Sequence, residues 1–77
     1  MEKRVRELVA NKLRSIRADY KYTIDYVSIN SGISKDTICR YENNQVSMQI
    51  DILEKLLNFY KYDFYIFFKE IYAKKQN

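Results

Sequence analysis

In its 77 residues the chain has no proline and only one glycine, Gly32. Those two residue types are the strongest local breakers of regular structure, so boundaries between elements have to be made here by capping residues and small polar clusters. Periodicity predicts what lies between the boundaries. Val5, Leu8, Val9, Leu13 and Ile16 advance in helical steps and predict an amphipathic helix running to about Asp19. Thr23 predicts the N-cap of a helix over 24–30, with Tyr22 and Val27 as the two ends of a hydrophobic staple. Ser34 repeats the device with Ile33 and Ile38 and predicts a helix over 35–42. Between them Asn30-Ser31-Gly32 predicts a tight turn, because the residue just past a helix end commonly needs positive φ and glycine reaches it without a Cβ penalty. Asn43 to Ser47 reads as a loop. Ile50, Leu53, Leu56, Leu57 and Tyr60 then keep helical spacing, and Lys61-Tyr62 interrupts the run. Asp63 can cap a last helix, about 63–74, carrying Phe64, Phe67, Phe68 and Ile71. The expected fold is therefore all-α, five helices in a single domain over residues 1–77, without internal repeats.

Counts exclude several chemistries. No histidine is present, which removes the commonest general base and the commonest nitrogen ligand for metals. Cys39, the only cysteine, can form neither an internal disulfide nor a zinc tetrad, and a lone thiol reads as a small packing residue in a reducing compartment. One glycine makes no glycine-rich phosphate loop. The expectation is a protein that is not an enzyme, holds no cofactor or metal, and has no evident small-molecule substrate. No apolar run is long enough for a membrane helix and Met-Glu-Lys-Arg is not the start of a signal peptide, so the chain is expected to have no membrane partner and to be cytoplasmic.

Net charge is +4, and the first forty residues hold all of the excess cations, while the remainder is balanced. That asymmetry suggests either that one end of the molecule faces a polyanion or that it carries a solvated basic face. Lys3, Arg4 and Arg6 read equally as a backbone-contacting arm or as helix surface.

Val27, Ser28, Gly32, Ile33, Ile38 and Tyr41 form a frame of small and apolar positions around the turn. This frame resembles the helix-turn-helix of the lambda-repressor-like (XRE-type) transcription regulators, and Arg40-Tyr41-Glu42-Asn43 is similar to the family's signature at the end of the recognition helix. The resemblance covers about residues 9–68. It implies a five-helix lambda-repressor-like DNA-binding domain with its helix-turn-helix at helices 2 and 3. It also implies base reading in the major groove by Lys35, Asp36, Thr37 and Arg40, with phosphate contacts from Thr23, Ser34 and Asn43. Arg17 and Glu42 fall where the family pairs an arginine with a glutamate. Two positions depart from the pattern: Ile24 stands where glutamine is usual, and Asn44 where glycine is. Asp36 is compatible with accepting from cytosine N4, with orienting a neighbouring cation, or with simply favouring a helix N-terminus.

The function this implies is a sequence-specific regulator of transcription, a repressor for instance, that binds a pseudo-palindromic double-stranded DNA operator as a homodimer. Apolar surface spread over roughly 200° of the last helix exceeds what one small core can cover, so Phe64, Ile66, Phe67, Phe68, Ile71 and Tyr72 are expected at the dimer interface. Of another class is a helix-turn-helix module that binds a protein, of antitoxin or antirepressor type. A third possibility is the DNA-binding domain of a larger peptide-sensing regulator of the Rgg type.

Overall fold

A computed structural model describes residues 3–75; Met1, Glu2, Gln76 and Asn77 lie outside the described residues. Five helices and no strand are present among these residues: α1 Lys3–Tyr20, α2 Ile24–Ser31, α3 Lys35–Glu42, α4 Ile50–Phe59 and α5 Phe64–Lys75. Several boundaries follow from a side-chain or backbone device in the sequence. Thr23 Oγ1 accepts from the Tyr26 N–H at 3.0 Å and Ser34 Oγ from the Thr37 N–H at 3.1 Å, so α2 and α3 both begin on a hydroxyl cap. Asp63 Oδ1 accepts from the Ile66 N–H at 2.9 Å and does the same for α5.

Gly32 closes α2 at φ +79°, its N–H donating to the Ser28 carbonyl at 3.1 Å. A Cβ there would meet nothing nearer than the Lys55 side chain at 3.5 Å, so it is the backbone angle and not space that calls for glycine. Ser28 Oγ donates to the Ile33 carbonyl at 2.7 Å, which binds the turn to the helix it leaves. Asn44 sits at φ +56° after α3, as its tolerance of the left-handed region allows. Two further left-handed residues are lysines, Lys21 at φ +60° and Lys61 at φ +58°, each inside a Tyr-Lys-Tyr sequence. Both corners use one local recipe.

One core joins the helices. Val9, Leu13 and Ile16 of α1 meet Val27 of α2, Ile38 and Tyr41 of α3, and Leu53, Leu56 and Leu57 of α4, all buried. Ile24, the departure at the start of α2, is half-buried and packs against this core. Fully burying such aliphatic side chains contributes roughly 1.5–3 kcal/mol each, which is what offsets the ordering of a short chain. Tyr41 adds a polar tie, its hydroxyl accepting from the Gln49 N–H at 2.9 Å where no side chain caps α4.

The last helix packs on α1 through Phe67 and Ile71, which are 0% and 3% exposed. This corrects the expectation that both lie at a dimer interface: side chains already enclosed by their own chain have no surface to present to a second copy. Phe64 and Phe68 are half-buried, whereas Tyr65, Ile66 and Tyr72 are exposed. None of the five helices is long and apolar enough to cross a membrane.

Candidate nucleic-acid interface

The candidate surface is the outward side of α2 and α3. Because α3 is only eight residues long and buries Ile38, Tyr41 and Glu42, its remaining positions form a narrow exposed strip. Lys35, Asp36 and Arg40 stand on that strip, exposed, and Thr37 is half-buried beside them. Thr37 Oγ1 accepts from Ser34 Oγ at 2.8 Å, so the Ser34 proton is used within the cap. Thr23 accepts through Oγ1 and keeps its own O–H to donate. Asn43 is exposed, with Nδ2 donating back to the Cys39 carbonyl at 2.8 Å.

A buried electrostatic clamp fixes the strip to the rest of the molecule. Arg17 reaches from α1 to the end of α3, Nε donating to Glu42 Oε2 at 2.8 Å and Nη2 to Oε1 at 3.0 Å. Its third contact, Nη1 to the Tyr22 carbonyl at 2.8 Å, ties in the corner before α2. Glu42 is 5% exposed and is the one charged side chain that is buried among the described residues. Such a two-point guanidinium–carboxylate contact fixes orientation as well as distance. The hydrogen bond to Glu42 raises the Arg17 pKa above its usual value against the opposing effect of burial, so the guanidinium keeps its charge. Burial also pushes Tyr60, close to the same pair, up to about 12.

Both cations of the strip are already partnered. Lys35 Nζ lies 2.9 Å from Asp25 Oδ1 on α2, and the contact raises the lysine pKa. Arg40 Nε lies 2.9 Å from Asp36 Oδ2, one helical turn earlier on α3. Asp36 also stands in the first turn of α3, where a negative charge suits the helix dipole. Two cations and two carboxylates therefore share this face, and the basic excess of the first half resides elsewhere, where Arg4, Arg14 and Lys21 are among the exposed cations. Arg4 and Arg6 belong to α1 and not to a separate arm; Arg6 is half-buried, donating to Asn44 Oδ1 at 2.8 Å and to Ser47 Oγ at 3.2 Å, which braces the loop after α3.

Sequence reasoning reached neither Asp25 nor the pairing of Arg6 with Asn44 and Ser47, because neither contact has a local spacing: the partners are joined only through the turn or through the fold. Cys39 is half-buried on α3 and free. Among the described residues no cluster of three or more cysteines and carboxylates could hold a metal ion. Comparison of the chain with protein-family models, with curated proteins and with solved structures finds no match in any of them.

Proposed function

We propose that the chain is a sequence-specific double-stranded DNA-binding regulator of transcription with a lambda-repressor-like helix-turn-helix at α2 and α3. The observation that carries this reading is the α2–Gly32–α3 pair, two hydroxyl-capped helices around a left-handed glycine, with Lys35 and Arg40 on the outward strip of the second helix and the Arg17–Glu42 clamp behind it. In this reading Lys35, Asp36, Thr37 and Arg40 meet base edges in the major groove, Arg40 being suited to guanine O6 and N7. Thr23 and Asn43 meet phosphates through their side chains and Ser34, whose hydroxyl proton is used in the cap, through its backbone N–H. The reading assigns no catalytic step, and no cofactor or small-molecule substrate.

The same proposal makes the active species a homodimer. Tyr65 and Tyr72 with the half-buried Phe64 and Phe68 leave an aromatic face on α5 that its packing on α1 does not cover, and Ile66 is exposed on the other flank of the helix. A self-complementary helix face gives a two-fold dimer, and two recognition helices about 34 Å apart suit a pseudo-palindromic operator. Tyr72→Asp should convert the dimer to monomer in sedimentation without loss of helical circular dichroism.

The deciding experiment is selection of duplexes from a random pool, followed by fluorescence anisotropy on the selected and a scrambled sequence over a salt series. If about six phosphates are neutralised per dimer, log K should fall against log salt with a slope near −5. Equal affinity for both duplexes, or binding indifferent to salt, would reject the reading. A protein-binding module is the second reading, favoured by the balanced charge of the α2–α3 face and by Ile29, which is 81% exposed on α2.

A further inference from the structure

We propose that Asp25 and Asp36 are positioning residues that hold Lys35 and Arg40 in place on the α2–α3 face, trading indiscriminate phosphate attraction for base discrimination. The inference rests on the duplex-binding reading; it adds Asp25, which that reading does not use, and gives Asp36 a positioning role through Arg40 in place of a base contact of its own.

Both contacts are 2.9 Å long, and in each the acid precedes the cation along the chain. Asp25 occupies the first turn of α2 and Lys35 is the first residue of α3, so their contact spans the turn and couples the two helices. Lysine at a helix start is disfavoured by the helix dipole, and a carboxylate from the neighbouring helix compensates there. Asp36 and Arg40 are four residues apart with the acid on the N-terminal side, the favourable orientation within a helix. Arginine has five donors in a rigid fork, so one engaged through Nε still has its two Nη groups to offer to an acceptor pair.

The chemistry of the partner follows from this charge balance. A bare lysine or arginine on this strip would take any phosphate within reach, since the attraction to a polyanion carries no sequence information. A cation already satisfied by a carboxylate gains little by moving to a phosphate. It gains more where a guanine edge lies in line with the donors that the carboxylate leaves free. The carboxylates also repel the phosphate backbone when the strip is out of register. All four side chains are exposed, so each pair is worth little to the stability of the fold and its removal is a clean test.

The test uses the full chain with Asp25→Asn, Asp36→Asn and the double substitution, measured on the selected and the scrambled duplex at several salt concentrations. For Asp36→Asn, affinity for the scrambled duplex should rise about 3–10-fold at low salt, and the salt slope should steepen by about 0.9 for each phosphate newly neutralised. Affinity for the selected duplex should stay level or fall, so the ratio between the two collapses. Asp25→Asn should act in the same direction, and the double substitution more strongly. Asp36→Glu, which keeps the carboxylate at helical spacing, should restore most of the ratio. An unchanged ratio in folded variants would overturn the inference while leaving duplex binding intact, as would a proportional change on both duplexes. Loss of helical signal in the Asn variants would make the pairs structural and overturn it too. Failure of the unsubstituted protein to prefer any duplex would remove the DNA reading itself, and this inference with it.

Discussion

The corner between α1 and α2 and the corner between α4 and α5 use nearly the same residues, Tyr20-Lys21-Tyr22-Thr23 and Tyr60-Lys61-Tyr62-Asp63, and follow the same backbone path. In the first, the Lys21 N–H donates to the Ala18 carbonyl at 3.0 Å and the Tyr22 N–H to the Arg17 carbonyl at 3.1 Å; in the second, Lys61 donates to Asn58 at 3.0 Å and Tyr62 to Leu57 at 2.9 Å. Both are helix ends of the Schellman kind, followed at once by the cap of the next helix. The side chains then part. Tyr60 is 2% exposed while Tyr20 is 45% exposed, its hydroxyl donating to the Tyr60 carbonyl at 2.7 Å. The first corner is held by the buried Arg17–Glu42 clamp. The second is held near the surface, where Lys12 Nζ lies 2.8 Å from Glu70 Oε1 and the Tyr62 hydroxyl donates to the same carboxylate. Local sequence writes the path of the chain, and what the rest of the fold places beside it decides how much each residue is worth.

The contrast is sharpest in the two tyrosines. Tyr60→Ala should destabilise the protein by roughly 3–5 kcal/mol, the range for deleting a buried aromatic ring, and Tyr20→Ala by about 1 kcal/mol, as read from urea unfolding. Equal losses would mean that the two corners are energetically alike despite their burial. Next in size is the clamp. Arg17→Met leaves the Glu42 carboxylate enclosed without its countercharge and should cost about 3 kcal/mol, the lower end of the range for breaking a buried pair. Lys12→Met should cost a small fraction of that, because Glu70 is left in water.

A third difference is in pH. Burial raises the Tyr60 pKa from 10.0 to about 12, so the unfolded chain ionises this hydroxyl before the folded one does. Its contribution is complete below pH 10 and is lost as pH rises from 10 towards 12. Denaturant midpoints should fall across that window, and Tyr60→Phe should make the fall shallower. Smallest is the effect of the strained lysines. Lys21→Gly and Lys61→Gly each relieve a left-handed side chain and should stabilise by about 0.5 kcal/mol, net of the flexibility glycine adds to the unfolded chain. Because the backbone is the same in both corners, the two gains should match; a clear difference between them would show that tertiary strain enters one corner.

Much of the architecture was legible along the chain. Hydroxyl caps at Thr23 and Ser34, the carboxylate cap at Asp63 and the only glycine at Gly32 are local devices, and α2, α3 and α5 begin where those devices stand. Arg17 and Glu42 were legible only through the likeness to lambda-repressor-like regulators, since the two residues are 25 positions apart and no periodicity links them. The left-handed lysines were not legible at all. A lysine carries no intrinsic preference for positive φ, so nothing in the residue itself marked either corner in advance.

What the sequence determined by itself is the succession of helices, their starts and the turn at Gly32, because caps, staples and φ preferences act within a few residues. Only the tertiary structure decided which apolar side chains of α5 are enclosed and which face outward, since helical spacing marks an apolar stripe but not the width of the neighbour that covers it. It decided likewise that Lys35 meets Asp25 and that Arg6 braces Asn44, contacts between charges and amides that carry no helical period and form only once α1, α2 and α3 have packed together.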